Sequence, residues 1–150
     1  MTVRLPRRQC LRAALGLGAA GLLPSARACE FFAPTLRIFH PWTRATAEGA
    51  DEAVVSMKFD GVQRADRLVG VQTPVALHAD IAGAPARPVV DFAIPAGRDS
   101  ELAEGGTWLR LSGLQMPLHV GRAYPLTLQF EHGGEVPAQL SIDFPSFRFR

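Results

Sequence analysis

YPLTLQFEHGGEVPAQLSIDF, residues 124–144, decides the fold class. In its first part Leu126, Leu128 and Phe130 alternate with Thr127 and Gln129; after His132-Gly133-Gly134, Leu140, Ile142 and Phe144 alternate with Ser141 and Asp143. A two-residue period puts the apolar side chains of an extended chain on one face. Two such runs, Tyr124 to Phe130 and Val136 to Phe144, joined by a glycine-rich turn, predict an antiparallel hairpin. A hairpin with one apolar face is marginal alone and must be covered by a second layer.

The chain upstream supplies that layer. Thr107 to Leu111 predicts a strand with Thr107, Leu109 and Leu111 on one face and Trp108 and Arg110 on the other. Val89 to Ile94 (VVDFAI) is another, closed by Pro95-Ala96-Gly97. Between residues 81 and 88, Gly83, Pro85 and Pro88 exclude the middle of a sheet. Val75 to Ala79 and Arg67 to Val71 are separated at Thr73-Pro74, Ala53 to Phe59 ends in the turn Asp60-Gly61, and Leu36 to Phe39 comes first. No 3.6-residue apolar stripe is long enough for a core helix. The expectation is an all-β fold, a sandwich of seven or eight strands in one domain, with the tail Pro145 to Arg150 loosely held.

The amino terminus has a different character. Arg4, Arg7 and Arg8 precede an apolar run from Ala13 to Leu23, and Ala26-Arg27-Ala28 then provides small residues where a signal peptidase inspects the chain. An eleven-residue helix rises only about 16 Å, short of a bilayer's hydrocarbon core, so this run predicts a cleaved export signal over residues 1–28 rather than a transmembrane span. Arg7-Arg8-Gln9-Cys10-Leu11-Arg12 also fits a twin-arginine signal, although ordinary signals contain adjacent arginines too, and both routes stay open. Residues 29–150 are then the working domain, placed in the periplasm.

Removal of the signal takes five of the sixteen basic residues and none of the fourteen acidic ones, leaving eleven against fourteen and a net charge of −3. The basic balance of the whole chain therefore gives no ground for a nucleic-acid partner. Cys10 leaves with the signal, so Cys29 has no disulfide partner within the chain, and the domain must be held by its core. A lipid on Cys29 is not favoured, because Arg27 stands where an acylation signal takes a small residue.

Metal-binding side chains are sparse: His40, His78, His119, His132, Met57, Met116 and Cys29, with no closely spaced zinc-type motif. His78 ends the strand VALH, with Asp80 two residues on and on the same side if the strand continues. His119 falls in a loop, His132 in the hairpin turn exposed to water, Met57 in the core, and His40, before Pro41, at a strand edge and partly exposed. No nucleophile elbow, metal-activated water motif or spaced carboxylate pair points to an enzyme.

The segments HPWTRAT (40–46), ADRLVGVQTPVALH (65–78), FAIPAG (92–97), GLQMPLHVG (113–121) and YPLTLQFEHGGEV (124–136), in this order, resemble the periplasmic copper chaperones of the PCu(A)C family over nearly the whole of residues 29–150. The resemblance implies a cupredoxin-like β-sandwich that binds Cu(I) through two histidines and two methionines and passes it to the dinuclear copper centre of cytochrome oxidase or to other periplasmic acceptors. It places the first ligand at His78, the second at Ala86 or a neighbour in APARPVV (84–90), and the final His-x-Met pair at Trp108 and Arg110. Three of the four positions thus carry side chains that donate nothing to a soft cation. The copper site is accordingly expected to be weak or lost, with Arg110 paired to Asp80 beside His78 under the Trp108 ring.

Two further readings follow from the residues. Cys29, its free amine, His40, Met116 and His119 together offer an alternative soft site if the amino terminus reaches the loop around His119. Alternatively, the scaffold serves as a non-metal protein-binding sandwich through Trp108 and the loops near His78 and Pro117. Under either, the partner is a periplasmic protein, a copper donor or acceptor in the first case.

Overall fold

The computed structural model describes residues 29–144; the expected signal over 1–28, with Cys10, and the tail 145–150 lie outside the described residues. Ten strands follow one another: β1 (Glu30–Ala33), β2 (Leu36–Arg44), β3 (Glu52–Asp60), β4 (Asp66–Gln72), β5 (Ala76–Gly83), β6 (Phe92–Ile94), β7 (Ser100–Leu102), β8 (Thr107–Leu114), β9 (Ala123–Phe130) and β10 (Gly134–Asp143). The hydrogen-bonded order is β5-β8-β3-β2-β10-β9-β4-β6, with β1 added to β2 and β7 to β3. The result is the expected all-β, cupredoxin-like sandwich.

β3 joins the two layers. Its first half, from Glu52 to Val55, pairs with β8, while Met57 to Phe59 pair with β7 and its far end with β2. Ala53, Val55, Met57 and Phe59 point inward throughout, so one apolar stripe serves both layers. Phe59 is fully buried between Phe92 and the edge of Phe130, with ring centroids 5.9 and 6.2 Å away. From the hairpin β9–β10, Leu126, Leu128, Phe130, Val136, Ala138, Leu140 and Ile142 complete the core.

The structure departs from the expected strands in ways that have physical causes. β2 continues past Pro41 to Arg44 because a bulge absorbs the proline: Phe39 pairs with Lys58, but Trp42 pairs with Ser56, so β2 holds one extra residue there. His40 occupies that bulge with a φ of 49° and is buried at 6% exposure, not half-open at an edge as expected. Its Nε2 lies 2.6 Å from Asp143 Oδ2, and its N–H donates to the Cys29 carbonyl. β5 runs on to Gly83 where a break was expected at Ile81; it lies at the end of the sheet order, which spares Pro85 and Pro88 any ladder position. Only Phe92–Ile94 of the expected 89–94 strand pairs, and β1 and the polar β7 were not anticipated. Phe144 lies past the end of β10 and is 67% exposed, although its period matches Ile142.

Asp66 ties the hairpin loop to β4. Its Oδ1 accepts the N–H groups of Arg67 and His132 at 2.7 and 2.9 Å, and its Oδ2 accepts that of Gly133 at 2.8 Å. A Cβ on Gly133 would sit 3.0 Å from Oδ2, so the glycine permits the approach. Asp66→Ala removes the acceptor of three part-buried amides and is expected to cost about 1–3 kcal/mol in urea unfolding, with Asp66→Asn recovering part of it.

On the outer surface Arg37 forks onto Asp60, Nε to Oδ1 at 2.6 Å and Nη2 to Oδ2 at 2.7 Å. These hydrogen bonds hold the Asp60 carboxyl below its ordinary 3.8, against burial that pushes it up, and the Arg37 and Lys58 charges add to the lowering. A carboxyl depressed in the folded state adds stability that is complete above its unfolded value and disappears as pH falls through its folded one. Stability should therefore decline below about pH 4 with a slope that Asp60→Asn reduces, measured by urea unfolding across that range.

Candidate functional site on the β5–β8 face

β5 and β8 pair antiparallel in a register that sets His78 opposite Ser112, Asp80 opposite Arg110 and Ala82 opposite Trp108. Ile81, Leu109 and Leu111 point into the core. The alternating residues His78, Asp80 and Ala82, with Trp108, Arg110 and Ser112, therefore share the outer face. β3 extends it, since Glu52 lies opposite Ser112 and Val54 opposite Arg110.

The centre of this face is a forked ion pair. Arg110 Nε donates to Asp80 Oδ1 at 3.0 Å and Nη2 to Oδ2 at 2.7 Å, while Nη1 stands 3.7 Å from Glu52 Oε1. The hydrogen bonds to Asp80, and then its charge, hold the guanidinium protonated even more firmly than usual, although partial burial opposes this. With the Arg110 side chain 40% exposed, solvent screens the pair, and its contribution to stability is small. Its effect on chemistry is larger: a cation already fills the centre, and both Asp80 oxygens are engaged.

Trp108 lies against Gly83, which has a φ of +96°. A Cβ there would come within 2.8 Å of the indole and 2.1 Å of the Gly106 carbonyl, so glycine is required for both backbone and ring. Ala86 is exposed in the following loop, beside Arg87, whose backbone exchanges hydrogen bonds with Ile81. His78 is exposed and lines a cleft of about 190 Å³ with Val71, Gln72, Thr73, Leu77 and Leu111. The four positions assigned to copper by resemblance thus lie on or next to this face, and His78 alone among them carries a donor for a soft cation.

The second set of candidate ligands is distributed differently. Cys29 and His40 are neighbours through a 2.6 Å backbone hydrogen bond, but Asp143 engages the His40 imidazole. Burial, then the charges of Asp143 and Glu30, push the Cys29 thiol up, which disfavours the thiolate that a metal would need. His119 is exposed on the turn that runs beside the end of β10, where Gly121 N–H donates to the Ile142 carbonyl. Met116 is exposed next to Gln115, which is tied to Val75 at the start of β5. Among the described residues no three His, Cys, Asp or Glu side chains are placed to hold a metal ion. His132 is exposed in the hairpin loop and Met57 fully buried, both as expected. The roles of Glu52 and Asp143 had no local signal, because the first depends on β3 pairing with β8 and the second on a contact across 103 residues.

The ten-stranded sandwich has the architecture of PCu(A)C domains. Its similarity to solved structures agrees: a copper-bound PCuAC domain from PmoF2 is 29% identical, with a TM-score of 0.70 over 77% of this chain and 98% of that one. The apo PCuAC domain from PmoF1 is 30% identical, with a TM-score of 0.69 over 77% and 99%. The Cu(I) form of DR1885 from Deinococcus radiodurans, 22% identical with a TM-score of 0.62 over 71% and 76%, shares the fold. A family model described as "Putative lipoprotein LpqE-like" matches residues 36–142, and the chain belongs to that PCu(A)C-type family. A relative from Leifsonia xyli subsp. xyli (strain CTCB07), named "Putative lipoprotein Lxx21020", is 32% identical over 94% of this chain and 91% of its own. No helix among the described residues is long and apolar enough to cross a membrane.

The Trp108–Gly83 contact is open to test. Gly83→Ala is expected to cost about 1–3 kcal/mol in urea unfolding and to change the tryptophan emission, since the added methyl displaces the indole and strains the backbone.

Proposed function

We propose that the protein is a copper-chaperone-like carrier of the periplasm in which the family's Cu(I) site is weak or lost. The family and the PCuAC fold support the copper-handling role, and the Arg110–Asp80 fork supports the loss. Cu(I) is cargo that prefers thioether and imidazole donors; by the resemblance an indole and a guanidinium stand in the positions of the final His-x-Met pair, and the segment APARPVV (84–90), in which the methionine position falls at Ala86 or a neighbour, contains no methionine. Residence of a cation at His78 would also require it to sit near a permanent positive charge. The export signal read over residues 1–28 and the lipoprotein names of the relatives support a site of action outside the cytoplasm. On this reading the protein acts in copper delivery to cytochrome oxidase or another periplasmic acceptor, alongside proteins that hold the metal tightly. It is not an enzyme.

A second reading, a non-metal sandwich that binds a periplasmic protein, is favoured by one observation: Trp108 and Arg110, residue types that dominate binding hot spots, are held in fixed positions on one face.

Anaerobic Cu(I) competition against a chromophoric chelator tests the proposal. The chain from Cys29 onward should lose the metal to the chelator, while Ala86→Met with Trp108→His and Arg110→Met should bind about two orders of magnitude more tightly through restored donors. Stoichiometric Cu(I) retained by the unaltered protein and released by His78→Ala would overturn it.

A further inference from the structure

β5 and β6 are the two ends of the strand order, and the loop 84–91 connects them across the seam of the sandwich. A cleft of about 230 Å³ lies there, with Ile81, Pro85, Phe92 and Ala93 as its apolar walls. Three charged side chains reach it: Arg67, Arg87 and Asp91. Arg67 Nη1 donates to Asp91, and its Nε stands 3.8 Å from Glu131, so this guanidinium is already neutralised. Arg87 makes no ion pair and no side-chain hydrogen bond among the described residues. Its backbone is nonetheless fixed, exchanging hydrogen bonds with Ile81 at 2.7 and 3.2 Å. The remaining polar side chain, Thr107, spends its hydroxyl proton on the Ala84 carbonyl at 3.0 Å. The cleft therefore carries one uncompensated positive charge, on an anchored residue beside apolar walls. A larger cleft of about 400 Å³, on the other side of Arg67, differs: there Arg67 and Arg98 are balanced by Asp66 and Glu131.

We infer that the seam cleft is a binding site for a small organic monocarboxylate with a short apolar body. The two oxygens of a carboxylate match the planar fork of the Arg87 guanidinium, and the apolar body leaves water by lying against Ile81, Pro85 and Phe92. Both halves are needed, because an exposed ion pair alone is worth little and so small an apolar body alone holds weakly. A neutral ligand leaves the charge of Arg87 unanswered, and a dianion brings a second negative charge up to Asp91. The inference goes beyond the copper reading and does not rest on it, since His78, Trp108 and Arg110 do not line this cleft.

All ten strands and the buried core lie within residues 30–143, so protein beginning at residue 29 keeps the whole fold. Such protein is titrated at pH 7 with phenylacetate and followed by the backbone amide resonances of Ile81, Arg87 and Phe92. Saturable shifts with a Kd on the order of 1 mM are expected for so small a ligand. Arg87→Gln, which keeps the backbone bonds to Ile81, should weaken binding at least about fivefold, while Arg98→Gln in the larger cleft should leave it unchanged. Phenylacetamide, of the same shape without the charge, should also bind at least about fivefold more weakly than phenylacetate. Acetyl-glycyl-phenylalanine presents the same two groups at the end of a peptide, and tighter binding of it would overturn the assignment to a free small acid. Absence of saturable shifts, or equal binding of phenylacetamide or by Arg87→Gln, would overturn the site itself. Arg87 is exposed, so its substitution leaves folding unchanged, which thermal unfolding verifies.

Discussion

The sandwich depends on a change of partner along one edge of β2. From Leu36 to Phe39 that edge pairs antiparallel with β1, and from Trp42 to Arg44 it pairs in parallel with β10. The two neighbours run in opposite directions, so the strand must be rebuilt between them, and the extra residue at His40-Pro41 does this. Pro41 has no N–H to offer a ladder, and His40 takes a left-handed conformation that costs an ordinary side chain about 1 kcal/mol or more. The bond to Asp143 fastens the last strand at this point and offsets the strain. It acts beside the parallel pairing of Ser141–Asp143 with Trp42–Arg44, which sets β10 against β2.

Much else follows from that junction. Because β10 is fastened beside β2, the hairpin carries β4 and β6 on its far side, while β3 carries β8 and β5 around the core in the other direction. At one end of this path β5 and β8 display one face outward, and the candidate site lies there. The same junction brings Cys29 and Asp143 to His40. A scaffold of this kind separates its roles: core packing fixes the outline, and the outward positions of a few strands decide what is bound.

On the β5–β8 face the outward positions carry charge and an indole. A strand alternation that can aim two donors at a cation can equally aim an indole and a guanidinium. Arg110 finds its counterion directly across the strand pair at Asp80, and Glu52 adds a weaker contact. Trp108 rests on Gly83, a position where no other side chain fits. The face is satisfied internally by charge pairing and packing.

The amino-acid sequence by itself determined the fold class, the inward faces of β3, β8, β9 and β10, and the pairing of Arg110 with Asp80. Each of these depends on a two-residue period that is local to a strand, together with a family resemblance that placed the strands in order. The resemblance also located His78, Ala86, Trp108 and Arg110. Tertiary structure alone decided where β2 changes partner, that His40 is buried against Asp143, that Glu52 joins Arg110, and that Phe144 lies outside the core its period suggested. Those outcomes arise from contacts between segments far apart in the chain, and local alternation carries no record of which strand lies alongside or where a ladder runs out.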